Sequence, residues 1–257
     1  MSKAVAKKGE TNEIVAFDSS LFEQDAGLGM GDLSQDDMAI PFLKVLSRQD
    51  PTLDDLDDAK AGDILNTVSN QVYAGKGGIR VIPCAYQRRY IEWAPRGSGN
   101  GAPLNIYTPE DQRPRTERGD DNKDYVVTGN GSYIEETHQH YVLILNEDGT
   151  TTTAVIAMKS TQMKKSRKWN STIAQRTLMG KNGPFTPPRF SHVYLLRTVS
   201  EENSKGSWHG WDITLEGVVE DPSQYTQAKA FSESIQKGDV EAKHTSEGDD
   251  TSNDAPF

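Results

Sequence analysis

The sequence predicts a mainly β fold: a five-stranded barrel with one helix between its third and fourth strands and a second helix behind the fifth. Three observations carry this. Runs rich in Val, Ile, Thr, Tyr and Trp recur between residues 79 and 219, separated by turn residues. Within that region only the stretch from Ser160 to about Leu178 places its core candidates at helical spacing. Asp221-Pro222 and Gly238 then bracket a further helix, with Pro just inside its start and Gly just past its end.

Each element has its own signal. Ile79 to Trp93 (IRVIPCAYQRRYIEW) reads as a long strand, bent at Pro83. Residues 94–137 are rich in Gly, Pro, Asn, Asp and Arg and read as a long loop insertion, mobile unless bound. His140 to Asn146 and Thr151 to Met158 form a hairpin around Glu147-Asp148-Gly149. Ser160 caps the helix, which turns Met163, Ser166, Asn170, Ile173 and Thr177 toward the core. Gly180 to Pro188 breaks the chain. Phe190 to Val199 and Ser207 to Val219 are the last two strands, joined at Glu201 to Gly206. Strand, strand, strand, helix, strand, strand is the order of an OB-fold, which binds oligonucleotides on one sheet face and on two of its loops.

The flanks are different in kind. Residues 1–37 are polar and acidic and read as disordered. Residues 38–220 make the barrel domain. Its first part holds a short apolar run, Ile40 to Leu46, and an acidic loop at 50–58; residues 38–62 receive no role. A strand pair follows from Ile64 to Tyr73, around Ser69-Asn70. The C-terminal helix spans 221–238, and 239–257 form a disordered acidic tail.

A net charge of −10 speaks against nucleic acid until the arrangement of charge is considered. From Gly149 to Ser200 there is no Asp or Glu, yet Lys159, Lys164, Lys165, Arg167, Lys168, Arg176, Lys181, Arg189 and Arg197 all lie there. Phosphates need such cations, and single strands also need aromatic faces on which bases stack. Two stretches supply both. One is Tyr86-Gln87-Arg88-Arg89-Tyr90-Ile91-Glu92-Trp93, with Arg80 and Arg96 flanking, where Tyr86, Arg88 and Tyr90 share a strand face. The other is Met163-Lys164-Lys165-Ser166-Arg167-Lys168-Trp169. The DNA-contacting candidates are Arg80, Tyr86, Arg88, Arg89, Tyr90, Trp93, Lys159, Lys164, Lys165, Arg167, Lys168, Trp169, Arg189, Tyr194 and Trp208. In the fourth strand Val193 and Leu195 read as core, with Phe190, His192 and Tyr194 outward. In the fifth, Trp211, Ile213 and Leu215 read as core.

Other chemistry finds little support. No apolar run approaches the roughly 20 residues of a membrane span, and the lysines of the N-terminus precede no apolar export segment. Cys84 is the single cysteine and reads as a buried structural thiol. His138 and His140 share a strand face but lack a third metal ligand nearby. No GxxxxGK[ST] phosphate loop occurs, so neither a cofactor nor a metal is expected.

The chain closes on Ser246-Glu247-Gly248-Asp249-Asp250-Thr251-Ser252-Asn253-Asp254-Ala255-Pro256-Phe257. This stretch resembles the tip of bacterial single-stranded-DNA-binding proteins, which end in acids followed by a small apolar residue, Pro and Phe. T7-like phage single-stranded-DNA-binding proteins also end in an acidic tail with a terminal Phe. Asp254, Pro256 and Phe257 match the bacterial tip; Ala255 replaces the usual Ile, and Thr-Ser-Asn interrupts the acidic run. The resemblance implies a non-enzymatic protein of phage replication, recombination and repair, located in the host cytoplasm. It implies partners as well. Asp249, Asp250, Asp254, Pro256 and Phe257 would recruit DNA polymerase, helicase or another replication protein, and a homodimer is left open. A protein-interaction adaptor and a metal-dependent nuclease are the competing expectations.

Overall fold

The computed structural model describes residues 20–31, 38–95, 97–98, 101–204 and 206–244. The chain divides into two units, Met1–Met38 and Ala39–Phe257. In the first, α1 (Ser20–Gln24) is a single short helix followed by turns. The expected disorder of residues 1–37 falls mostly on positions outside the described residues, as does the tail from 245 onward.

The second unit opens with a small antiparallel sheet of β1 (Leu43–Val45), β2 (Ile64–Asn66) and β3 (Val72–Tyr73). A short helix, α2 (Thr52–Asp55), lies in the acidic loop. Lys44 reaches back to Asp50 at 2.8 Å, so this loop is pinned by a buried ion pair. Residues 38–62, which receive no role from the sequence, join the main fold. Pro41 accepts a hydrogen bond from the Val155 N–H at 2.9 Å, and Phe42 forms a parallel bridge with Val155.

The main sheet is built on two long strands, β4 (Ile79–Trp93) and β8 (Tyr133–Leu145), paired antiparallel along their whole length. On one side β4 pairs with β12 (His192–Asn203), which pairs with β13 (Gly206–Val218). On the other side β8 pairs with β9 (Thr151–Met158). The sheet curls into a half barrel. Its hollow is filled by Val81, Ile144, Ile156, Leu196 and Trp211, together with Leu43, Val45 and Ile64 from the small sheet. Gly149 turns the β8–β9 hairpin at φ 83°, a conformation open to glycine at no steric cost.

Residues 94–137 are not the expected bare loop. They carry β5 (Asn105–Tyr107), β6 (Thr116–Arg118) and β7 (Asp124–Val126), which extend the sheet at the far ends of β4 and β8. Each strand has three residues, too few for alternation to stand out from the turn residues around it. Glu92 organises the region, accepting hydrogen bonds from Asn105 (2.8 Å), Tyr107 (2.9 Å) and Ser132 (2.8 Å). Burial pushes this carboxyl up, but the three hydrogen bonds outweigh it and hold the group below its ordinary range.

The first long helix, α3 (Met163–Ala174), follows a 3₁₀ turn at Ser160–Gln162 and ends before the expected Leu178. Its buried residues are Ser166, Trp169 and Ile173, rather than the full set read from spacing. Trp169 and Ile173 close one end of the half barrel. Where a mere chain break was expected, β10 (Leu178–Gly180) and β11 (Gly183–Phe185) form a hairpin. Helix α4 (Pro222–Lys237) matches its signals closely. Asp221 caps it through Ser223 N–H at 2.7 Å, and Gly238 ends it at φ 82°. Phe231 and Ile235 of α4 cover Cys84, Tyr141, Leu143 and Val193 on the outer face of the sheet. Burial there pushes the Cys84 thiol up to about 12, which fits a structural role.

Candidate nucleic-acid interface

Two strands and one helix position the site. A β-bulge between Pro83 and Ala85 shifts the β4 register, and beyond it Tyr86 pairs with His140, Arg88 with His138 and Tyr90 with Glu136. On β8, His140, His138 and Glu136 continue the face of Val142 and Ile144, because alternate residues share a face. The inner face of the barrel therefore runs on past α3 as a surface of Tyr86, Arg88 and Tyr90. Tyr86 and Tyr90 are half-buried and Arg88 is exposed. The Arg88 guanidinium lies 5.7 Å from the Tyr90 ring centroid and that of Arg113 only 3.5 Å from it.

A buried chain of hydrogen bonds holds α3 against this face. Arg189 Nη2 meets His140 Nδ1 at 2.9 Å, and His140 Nε2 meets Ser166 Oγ at 2.7 Å. Ser166 Oγ lies 2.7 Å from His138 Nδ1, and His138 Nε2 lies 3.0 Å from Glu136. Arginine can only donate and a carboxylate can only accept. His140 Nδ1 must therefore accept, which places its proton on Nε2, donating to Ser166. His138 Nε2 donates to Glu136, and the Ser166 hydroxyl joins the two imidazoles. The links run without a break from Arg189 to Glu136. Burial, then Arg189 and His138, hold His140 well below its ordinary pKa. Ser166, His138 and His140 are all buried, so the array ties α3 to β8 from within.

With Ser166, Trp169 and Ile173 turned inward, the helix presents Lys164, Arg167 and Lys168 to solvent. Asn170, on the flank toward Arg167, accepts from Arg189 at 2.9 Å. Tyr86 lies among these cations. Burial raises its phenol, Arg88, Arg189 and Arg167 pull it down, and Glu136 pushes it up, for a net upward shift. On the opposite flank Lys165 pairs with Glu201 at 2.6 Å, and the same carboxylate accepts from Trp208 Nε1 at 2.9 Å.

The structure thus brings Tyr86, Arg88, Tyr90, Arg167 and Arg189 together, with Lys164 and Lys168 on the adjacent crest. Other candidates are placed elsewhere. Trp169 is 2% exposed and stacks on His140 at 4.6 Å, so it is core. Tyr194, expected outward, is 1% exposed and lies in the barrel core with Leu196, while Val193 faces outward under α4. His192 is buried too, and Leu195 is only half-buried. Trp93 packs with Ile91 and Tyr133 in a separate buried cluster. Lys159 is buried and paired with Glu135 at 2.8 Å. Arg80 sits six residues before Tyr86, roughly 20 Å along the strand, and is paired with Glu216 at 2.7 Å. Arg89 points to the other face, donating to Gln87 at 2.7 Å. Trp208 and Lys165 are tied to Glu201 across the helix from Tyr86. Asp249, Asp250, Asp254, Pro256, Phe257 and Arg96 lie outside the described residues.

Sequence reasoning missed Arg113, the two histidines as partners of Ser166, and Glu92 as an organiser. Arg113 falls within residues 94–137, whose composition reads as a loop. By sequence the histidines suggest metal ligands alone; among the described residues no group of three or more His, Cys, Asp or Glu is arranged to hold a metal ion. Among the described residues, no helix is long and apolar enough to cross a membrane.

A family model described as Pam3 phage gp34-like protein matches residues 10–241. No curated protein and no solved structure matches the chain. The family match spans every strand and helix described above, and by it the chain belongs to the Pam3 phage gp34-like proteins, a family of phage proteins.

Proposed function

We propose that this protein binds single-stranded DNA without chemistry and serves phage DNA replication, recombination and repair. The observation that carries the reading is the surface on which Tyr86 and Tyr90 stand half-exposed beside Arg88, Arg167 and the crest of Lys164 and Lys168. Such a surface offers ring faces to bases and cations to phosphates, and the acid-free stretch of sequence supplies most of its charge. The fold reading that goes with it is an OB barrel. The pairing order β13-β12-β4-β8-β9, with α3 between β9 and β12, follows the order of OB strands 5-4-1-2-3, and β1 lies against both β9 and β13. Helix α4 covers the outer sheet face at Tyr141 and Leu143. The DNA track is therefore displaced onto the inner face of the β4–β8 extension and the crest of α3.

The acidic tail completes the reading. Its acids compete with DNA for the cations of α3, and Phe257 docks on a replication protein once DNA displaces the tail. A mobility shift with one oligonucleotide as single strand and as duplex tests the DNA reading. The single strand is retarded at low salt and the duplex much less. No retardation of the single strand at low salt removes the proposal. Deleting residues 246–257 raises DNA affinity, most at low salt where screening is weakest. Phe257→Ala leaves DNA affinity unchanged and loses the partner. Equal DNA affinity of full-length and truncated protein at low salt removes the tail switch alone.

A further inference from the structure

We propose that Arg176 and Arg189 form a seat for one phosphate group, at the end of the barrel closed by α3. Both arginines are half-buried as residues, and the Nε of each is shielded from solvent. Neither has an ion pair among the described residues. The Arg189 guanidinium is supported by neutral groups alone: Asn170, His140, and the rings of Tyr86 at 5.7 Å and Trp169 at 5.9 Å. Burial lowers its pKa to about 10, with Tyr194, Cys84 and Tyr86 as its ionisable neighbours and no carboxylate among them. Arg176 stands beside the Tyr194 hydroxyl, which feels both arginines.

Four polar atoms in this cluster find no acceptor: Arg176 Nε, Arg189 Nε, Trp169 Nε1 and the Tyr194 hydroxyl. Trp169 and Tyr194 are almost wholly buried, and their rings lie 5.7 Å apart. Taking cations out of water without a counter-charge is costly, and leaving donors unpaired adds to the cost. One tetrahedral anion removes both penalties. A phosphate has acceptor oxygens on every side, and the planar fork of arginine matches it. A carboxylate has only two oxygens to offer a cluster with four donors. None of the charged residues from Gly149 to Ser200 competes for the site, since all are basic. If the phosphate belongs to a DNA strand, the seat deepens the proposed function and rests on it; binding of free phosphate does not.

The test uses the full chain, Arg176→Gln, and Arg189→Lys, which keeps the charge but loses the fork. Thermal melting is followed in sodium phosphate and in sodium chloride at equal ionic strength. Phosphate at about ten times its Kd raises the Tm of the full chain by roughly 3–6 °C, and the rise is lost in both variants. Equal melting of the full chain in the two salts overturns the seat. So does an equal rise in Arg176→Gln, which means an adventitious ion only. Single-stranded oligonucleotides with and without a 5′-phosphate identify the source: equal affinity points to an internal backbone phosphate, tighter binding of the phosphorylated strand to its end. In either case Arg176→Gln lowers the salt slope of binding by about 0.7. A phosphate-dependent Tm with no single-strand binding keeps the seat and removes the proposed function. Single-strand binding with the salt slope unchanged in Arg176→Gln and no phosphate effect does the reverse.

Discussion

The two faces of the β4–β8 ribbon differ although the same residues, alternately, build both. The outer face carries Cys84, Tyr141 and Leu143 and is closed by Phe231 and Ile235 of α4, then by Val240 and Ala242 beyond it. His244 closes it further, meeting the Gln139 side chain and the Phe42 ring. The inner face begins as barrel core at Val81 and Ile144, turns polar at His140 and His138, and ends open at Tyr86, Arg88 and Tyr90. One face is spent on stability. The other passes from apolar to hydrogen-bonded to cationic within a few residues, with α3 seated at the boundary. Function is therefore expected where packing stops, and the comparison can be broken by perturbing each face in turn.

The largest effect belongs to the outer face. Phe231→Ala removes a ring packed on Tyr141 and costs about 3–5 kcal/mol of stability in denaturant unfolding, with single-strand affinity unchanged at temperatures where the variant is folded. Tyr86→Ala does the opposite. It weakens single-strand binding by about 1–3 kcal/mol and leaves the melting temperature nearly unchanged. If Tyr86→Ala loses stability and affinity together, its ring is core and the contrast between the faces fails.

The charge of α3 gives a sharper version. Replacing Lys164, Arg167 and Lys168 with Ala flattens the slope of log affinity against log salt by roughly 2, at about 0.7 per phosphate contact on a single strand. Adding Lys165→Ala changes the slope little further, because that ammonium is already held by Glu201. An equal contribution from all four would place DNA on both flanks of the helix.

The smallest effect is on pH dependence. His140 stays neutral in the folded protein, held well below its ordinary value of 6.5 by burial, by Arg189 and by His138. The unfolded chain takes up a proton near 6.5, so it binds more protons than the native state below that pH. The stability associated with neutral His140 is complete above about pH 6.5 and is lost as the pH falls toward the depressed folded value. Melting temperature against pH shows this as a decline on the acid side. His140→Gln has a shallower decline; an unaltered one would assign the acid sensitivity to another group.

Much of the framework was legible from local signals. Asp221-Pro222 and Gly238 placed α4 to within a residue, and Gly149 placed the β8–β9 turn, because caps and turns act within a few residues. The β4 bulge was not legible. The unpaired residue at Cys84 shifts which β4 side chains face inward, and nothing in the alternation announces it. On β12 the alternation itself holds, with Tyr194 and Leu196 inward and Val193 outward; both faces are apolar because α4 buries the outer one, so alternation alone does not tell which face the barrel encloses. The chain Arg189–His140–Ser166–His138–Glu136 was equally hidden. It joins residues on three elements, and Ser166 by spacing alone was one more inward position on a helix.

The place where a single strand touches the protein decides between the two faces most directly. Ultraviolet cross-linking of a single-stranded oligonucleotide to the full chain, with the linked peptides identified by mass spectrometry, reads this out. The predicted result is cross-links at Tyr86, at Tyr90 and in the α3 peptide spanning Lys164 to Lys168, with none in α4. Cross-links confined to α4 or to the outer face around Arg89 and Gln139 would contradict the account.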